Sequence, residues 1–213
     1  MGAKKGLIFG AAPCGDFSFL EPLRDWPELV IGADGGLHSA RRAGFSPTVY
    51  VGDGDSGGRV EAELFCVPLP AEKDVTDLQA AYDYAKDRGV TELILTGCTG
   101  GRLDHHLSAL GLLERAAKDG ISCCLLDGDN RAEFLLPGTH MQKNHGYRYF
   151  SLIPVSKLLR SVTITGAKYP LKDRDVFRGD SLTVSNEFCS DSVTVSFTEG
   201  CCYFIEAQKK SEE

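Results

Sequence analysis

Short apolar runs alternate with longer amphipathic stretches in the first part of the chain. The apolar runs have the length of buried strands and occupy residues 7–12, 29–33, 49–51, 64–67, 91–96 and 121–126. Residues 37–43, 75–86 and 103–118 are predicted helices, and in the second of these the apolar positions 75, 78, 81, 82 and 85 follow helical spacing. Gly44 and Gly120 are placed to end two of the helices. Strands that alternate with helices predict a layered, mostly parallel α/β sheet.

The pattern changes near residue 130. Strand-like runs follow at residues 133–136, 147–155, 161–165, 192–197 and 202–206, with turn residues between them and no periodic segment of helix length. The last two runs are joined through residues 198–200 and favour a hairpin. We therefore predict two domains, an α/β domain over residues 1–129 and a β-sandwich over residues 130–213.

Charge and composition exclude several classes of partner. The net charge is −7 and no basic stripe is present, which argues against binding to nucleic acid or to an anionic membrane surface. The longest apolar runs are far too short to span a bilayer, and the N-terminus lacks the apolar region of a signal peptide. The eight cysteines include no C-x₂-C pair, so we expect free thiols in a cytoplasmic protein.

Carboxylates cluster where two predicted strands end. Asp34 follows the strand at 29–33, and Asp53 and Asp55 follow the strand at 49–51, each among glycines. Two carboxylates about 5 Å apart repel by about 3 kcal/mol at an effective dielectric near 20, so such a cluster favours a divalent cation. Hard oxygen ligands of this kind suit Mg²⁺, which shares its coordination with substrate phosphates.

The segment 72–78 reads as a polar start of a helix. Asp74 or Thr76 can cap this helix, which explains Asp74 without any catalytic role. Asp77 lies three residues after Asp74 and would share its helix face, which points toward the carboxylate cluster. Lys73 adds a cation beside these acids, and this combination favours a site that handles phosphate.

The segment 95–106 combines a strand end, several glycines and a helix start. Glycines such as Gly100 and Gly101 let the backbone approach a ligand closely, and free N–H groups at a helix N-terminus attract anions. Arg102 and Asp104 stand at this helix start, where a forked guanidinium could hold polyphosphate or simply form a salt bridge. His105 and His106 lack a partner in zinc-ligand spacing.

Several motif matches fail on physical grounds. The segment 52–57 fits G-x-G-x-x-G, but its two carboxylates would repel a pyrophosphate. The same region opens like an EF-hand loop, yet Leu64 stands where a bidentate Glu is required. No P-loop sequence occurs. A strand followed by Asp-x-Asp also begins an aspartyl-phosphate phosphatase, and this alternative stays open.

Six segments taken together resemble the thiamine pyrophosphokinase family. In chain order they cover residues 32–36, 52–56, 73–77, 99–105, 166–171 and 184–188. The resemblance implies an α/β domain that binds ATP and Mg²⁺, followed by a thiamine-binding β-sandwich. It also implies a homodimer with its active site at the subunit interface. The implied reaction transfers the pyrophosphoryl group of ATP to the hydroxyl of thiamine and releases AMP.

The resemblance also implies roles for individual residues. The magnesium ligands would be Asp53, Asp55 and Asp77, and Asp104 and Arg102 would complete the catalytic set. The remaining ATP-binding residues would be Asp34, Lys73, Asp74, Gly100, Gly101 and His105, with Arg102 and Lys73 holding phosphates. Thiamine would be bound by Tyr169, Ser185 and Asn186, of which Ser185 and Asn186 would recognise the pyrimidine.

Three positions depart from the family pattern. Gly54 stands where an aromatic residue is usual, Gln79 replaces a frequent acid and His106 replaces a threonine. None of the three is a proposed metal ligand, so the departures bear on loop rigidity and nucleotide placement. From the sequence, Asp34 and Asp104 both stay candidates for the general base, and a non-enzymatic thiamine- or cation-binding protein stays an alternative.

Overall fold

The computed structural model describes residues 2–52, 64–68 and 74–208. The chain forms two compact units, Met1–Gly128 and Asp129–Glu213, and each has its own core.

The described part of the first unit is an α/β unit with a parallel sheet. Its elements are β1 (Lys5–Phe9), a 3₁₀ helix (Ser18–Leu23), β2 (Leu29–Ala33), α1 (Gly36–Arg42), β3 (Val49–Gly52), β4 (Phe65–Pro68), α2 (Asp77–Asp87), β5 (Glu92–Thr96), α3 (Leu103–Lys118) and β6 (Ser122–Leu126). The strands pair in parallel in the order β4-β3-β2-β1-β5-β6. The predicted parallel α/β architecture is confirmed.

Strand β1, which lies between β2 and β5, is buried on both of its faces. Leu7 and Phe9 of β1 pack in one cluster with Ala40 of α1. Ile8 points to the opposite face and is also fully buried. Helix α2 packs against β1, β2 and β3, and it also contacts α3. Full burial of one such side chain stabilises the fold by about 1.5–3 kcal/mol, so the packed faces of this sheet stabilise the unit that carries the loops at its ends.

The helix boundaries follow local sequence signals. The Thr76 hydroxyl accepts a hydrogen bond from the Gln79 N–H at 3.2 Å, so Thr76 is the N-cap and α2 begins at Asp77, two residues later than predicted. Helix α3 has the predicted bounds. Gly44 follows α1 with φ +78°, a conformation that favours glycine at a helix end.

The described part of the second unit is built from antiparallel strands. They are β7 (Asn130–Leu135), β8 (Gly138–Lys143), β9 (Tyr149–Pro154), β10 (Leu158–Thr165), β11 (Leu171–Phe177), β12 (Asn186–Glu187), β13 (Ser192–Phe197) and β14 (Cys202–Ala207). One set pairs in the order β7-β14-β9-β12 and the other in the order β8-β13-β10-β11. Phe150 and Phe204 from the first set share a core with Val162 and Val195 from the second, which confirms the predicted β-sandwich.

The predicted hairpin of the last two strands is wrong. β13 pairs with β8 and β10, whereas β14 pairs with β7 and β9, so the connection between them crosses from one sheet to the other. Alternation alone could not distinguish these arrangements, because both place Val195 and Phe204 inward. Gly200, with φ +91°, lies in the crossing connection, where a Cβ would come within 2.2 Å of Leu158 O.

Candidate active site

A cavity of about 370 Å³ lies at the carboxyl edge of the parallel sheet in the first unit. Its lining comes from the loops after β1 and β5, the end of β2, the first turn of α2 and the first two turns of α3. The lining residues are Gly10, Ala11, Ala12, Pro13, Ala33, Asp34, Thr76, Asp77, Leu78, Gly97, Cys98, Gly100, Gly101, Arg102, His105 and Ser108. From the adjacent strands β1 and β5 the chain proceeds in opposite directions, to β2 and to β6. Such a reversal of strand order is where open α/β sheets bind ligands.

Closely approaching backbone forms one wall of the cavity. The Gly10 N–H donates to Thr96 O at 2.8 Å, and the Ala12 N–H donates to Gly97 O at 2.9 Å. Gly97 has φ +62°, and a Cβ there would lie 2.7 Å from Gly10 O. Only glycine therefore fits between the loops after β1 and β5 without a shift of the backbone.

Asp34 lines the cavity, and one of its carboxylate oxygens is buried. It directly follows β2 with φ +51°, and its N–H donates to Val51 O at 2.8 Å. Its Oδ1 atom is buried and has no hydrogen-bond partner in the described part of the chain. A buried carboxylate oxygen without a partner is costly, and a left-handed aspartate adds strain. A cation or a proton donor at Oδ1 would remove this cost, so the site suits Mg²⁺ chemistry.

The other predicted acids are placed differently. Asp77 lines the cavity from the first turn of α2. Asp74 is exposed and precedes the N-cap, so the helical spacing that related it to Asp77 does not apply. Asp53, Asp55 and Lys73 lie outside the described residues. Within the described ranges, no three acidic, histidine or cysteine side chains form a metal-binding group.

Arg102 and Asp104 form a forked ion pair at the start of α3. Arg102 Nε donates to Asp104 Oδ1 at 3.1 Å, and Arg102 Nη2 donates to Oδ2 at 2.6 Å. The hydrogen bonds from Arg102 are the main cause that lowers the pKa of Asp104 to about 2. Arg102 lines the cavity, whereas Asp104 is not among the lining residues. Two of the five guanidinium N–H groups are thus used to fix the direction of the side chain.

The predicted thiamine residues lie together in the second unit. Asn186 is 4% exposed, and its Oδ1 accepts from the Tyr169 N–H at 3.0 Å while its Nδ2 donates to Tyr169 O at 2.9 Å. Ser185 has φ +57°, and its N–H donates to Ser151 Oγ at 3.0 Å. Tyr169 itself is 57% exposed. The Asn186 amide therefore fixes the backbone that carries an exposed aromatic ring.

Sequence analysis missed the apolar walls of the cavity. Ala11, Ala12 and Pro13 follow the central strand, and Leu78 and Cys98 complete the apolar lining. Burial raises the pKa of the Cys98 thiol to about 12, so this thiol is neutral and is not a nucleophile. All eight cysteines are free, as predicted. Only the order of strands, which no local pattern reveals, identifies residues 10–13 as part of the site.

The fold and the cavity define an α/β protein with a ligand site at its strand-order reversal, which a β-sandwich follows in the chain. Residues 20–125 match the family model of the thiamin pyrophosphokinase catalytic domain, and residues 139–202 match that of the vitamin B1 binding domain. The chain belongs to the thiamine pyrophosphokinase family, and the family predicted from the sequence is confirmed.

Individual relatives agree with this assignment. Thiamine pyrophosphokinase of Bacillus subtilis is 35% identical over 184 residues, which cover 83% of this chain and 86% of the relative. Its crystal structure superposes with a TM-score of 0.87 at 32% identity, covering 97% of this chain and all of the other. The enzyme of Geobacillus thermodenitrificans gives a TM-score of 0.83 at 33% identity, covering 97% and 99% of the two chains.

None of the helices in the described residues combines the length and apolarity that crossing a bilayer requires.

Proposed function

We propose that this chain transfers the pyrophosphoryl group of ATP to the hydroxyl of thiamine, giving thiamine pyrophosphate and AMP. The observation that carries the proposal is the cavity at the strand-order reversal, which Asp34, Asp77 and Arg102 line together. Membership of the family supports the choice of substrates. The first unit would act as the ATP-binding catalytic domain over residues 1–129, and residues 130–213 would bind thiamine.

ATP would bind with its phosphates toward α3. Arg102 has N–H groups beyond the two held by Asp104, and the first turn of α3 adds the positive end of a helix dipole. Gly100 and Gly101 have φ +83° and +71°, which lets the backbone lie close to a phosphate. His105 lines the same wall. Lys73 and Asp74 are proposed contacts at the entry to α2, and the apolar wall suits the nucleotide base.

Mg²⁺ fits the chemistry of the donors that border this cavity. We propose Asp77 as one ligand, together with Asp53 and Asp55. The buried Asp34 Oδ1, which has no partner in the described residues, supports a cation nearby. When bound, Mg²⁺ would supply charge neutralisation for the ATP phosphates. The positively charged, forked guanidinium of Arg102 would also neutralise negative charge on the transferred pyrophosphoryl group.

Asp34 is the proposed acceptor of the thiamine hydroxyl proton. Asp104 is a poor candidate, because its pairing with Arg102 lowers its pKa to about 2 and occupies both of its oxygens. Asp34 keeps an oxygen that no described group donates to. We therefore assign Asp104 to positioning Arg102 and assign proton acceptance to the Asp34 carboxylate. The reaction then depends mainly on positioning and electrostatics.

Thiamine would be held by Tyr169, Ser185 and Asn186 of the second unit. An exposed aromatic ring is a suitable contact for the cationic thiazolium. A homodimer with its active site at the subunit interface is part of the same proposal, and light scattering at assay concentration would test it. A cytoplasmic location is proposed because eight free thiols suit a reducing compartment.

The test is product analysis of the pure protein with ATP, Mg²⁺ and thiamine. We expect AMP and thiamine pyrophosphate in equal amounts, and no AMP when thiamine is omitted. Phosphate release without thiamine would favour the phosphatase alternative. Thiamine binding without any consumption of ATP would favour a binding protein, and either outcome would contradict the proposal.

A further inference from the structure

A paired lysine lies over the exposed Tyr169 ring. Lys168 Nζ is 5.5 Å from the centroid of the Tyr169 ring, and it donates to Glu187 Oε1 at 2.6 Å. The Lys168 N–H also donates to Glu187 O at 2.9 Å. One face of the ring therefore carries an ammonium group whose charge is balanced by a carboxylate.

The backbone that carries this ring is held by hydrogen bonds from a buried side chain. The Asn186 amide binds both the N–H and the C=O of Tyr169, while the Tyr169 side chain stays 57% exposed. Ala167 and Phe188 form an antiparallel bridge that joins the same two segments. Tyr169 is thus an exposed aromatic side chain on a hydrogen-bonded backbone, next to the Lys168–Glu187 pair.

The charge of Lys168 matters for any cation that approaches this ring. Aromatic faces attract cations, whereas an unbalanced ammonium group a few ångströms away repels them. The hydrogen bond to Glu187 raises the pKa of Lys168, and the hydrogen bond from Lys168 lowers the pKa of Glu187. Arg148 is the other cation that acts on Glu187. Both members of the pair therefore remain ionised at neutral pH.

We infer that Glu187 sets the selectivity of this surface for a cationic heteroaromatic ring by neutralising Lys168 beside Tyr169. Glu187 acts through Lys168 and is a positioning residue, not a catalytic one. The inference rests on the proposed function, in which Tyr169 contacts thiamine. It assigns Glu187 a role that Asn186 and Ser185, its neighbours in the chain, do not share.

The test compares two variants with opposite expected effects. Glu187→Gln leaves the Lys168 ammonium without its carboxylate and should raise KM for thiamine. Lys168→Met removes the ammonium group beside the ring, keeps the Glu187 carboxylate and should lower KM for thiamine. A unit charge about 7 Å away in a largely aqueous setting changes affinity by about 3- to 5-fold in each direction. Both variants should change KM for thiamine and leave KM for ATP unchanged. Both changes should be smaller at high salt.

Three controls separate this effect from a structural one. Glu114→Gln breaks an ion pair of the same 2.6 Å length, Lys118–Glu114 on α3, and should leave KM for thiamine unchanged. The double variant K168M/E187Q should return KM toward the wild-type value. An uncharged thiophene analogue of thiamine should bind wild type and both single variants equally.

Shifts of the same sign in both single variants, or an equal shift with the uncharged analogue, would overturn the inference. If Glu187→Gln does not fold, Lys168→Met still tests the inference, because KM for thiamine should fall in that variant. Failure of the proposed function looks different, because the wild-type protein would then form no AMP with thiamine. An active wild type whose KM is untouched in Tyr169→Ala would refute the location of thiamine, and with it the role of Glu187.

Discussion

Asp34 and Asp104 are both carboxylates near the cavity, but different interactions surround them. Asp104 is fixed by Arg102 and the N–H of His105, whereas Asp34 Oδ1 is buried with no partner among the described residues. The folded-state pKa of Asp104 is depressed, so the Arg102 pair is fully formed above about pH 4 and is lost only as pH falls toward 2. The pair therefore persists across ordinary assay conditions.

Asp34→Asn should reduce kcat by about 10²-fold or more, because it removes the proposed proton acceptor. The same variant should be at least as stable as wild type, since asparagine tolerates positive φ and the buried charge disappears. Steady-state kinetics and urea unfolding measure the two effects. Asp104→Asn is the matched variant, and it should instead raise KM for ATP by about 5-fold through loss of Arg102 positioning. Equal kcat losses in both variants would contradict the assignment.

Cysteine reactivity should follow exposure and pKa. Burial raises the pKa of Cys98 and of Cys202 to about 12, whereas Cys66 and Cys189 are exposed. Because the thiolate is the reactive form, iodoacetamide at pH 8 should label Cys66 and Cys189 long before the two buried thiols. Peptide mass spectrometry of the native protein measures the order. Early labelling of Cys98 would show that the cavity wall opens.

Sequence patterns located the charged part of the site better than its apolar part. Asp34, Asp77 and Arg102 stand beside glycines or at helix starts, and these local signals have a direct chemical meaning. Ala11 and Pro13 carry no such signal, and their position depends on β1 lying beside β5. Local sequence also cannot show that Asp104 is held by Arg102, because this depends on side-chain conformation.

At the scale of elements, the local sequence placed α3 correctly and gave the start of α2 within two residues. Helix α2 begins after the Thr76 cap because its hydroxyl satisfies the Gln79 N–H. In the second unit, β8 and β11 were not predicted, since many of their residues are exposed and polar. The pairing of β13 and β14 with different sheets is a non-local property that alternation does not encode.

Thr76→Ala should lower the free energy of unfolding by about 1 kcal/mol, since it removes the cap of the helix that presents Asp77. Urea titration measures this loss. Thr76→Ser keeps the hydroxyl and should remain within a few tenths of a kcal/mol of wild type. Equal stabilities of the alanine and serine variants would show that the hydrogen bond to Gln79 contributes little.

At the scale of the whole molecule, the order of segments was more informative than any single segment. The segments at 32–36 and 99–105 lie in the first unit, and those at 166–171 and 184–188 lie in the second. Their shared order along one chain identified the family, which the matches to both domain models confirm. The pattern of apolar and polar positions predicted the α/β unit and the β-sandwich, but only the structure shows which loops surround the cavity.

The most direct test of pyrophosphoryl transfer follows the β-phosphate of ATP. ATP labelled with ³²P at the β-position is incubated with the protein, Mg²⁺ and thiamine, and the products are separated. The account predicts that the label appears in thiamine pyrophosphate and that the AMP is unlabelled. Label recovered in ADP would mean transfer of a single phosphoryl group, and label remaining in ATP would mean no transfer, so either result would contradict the account.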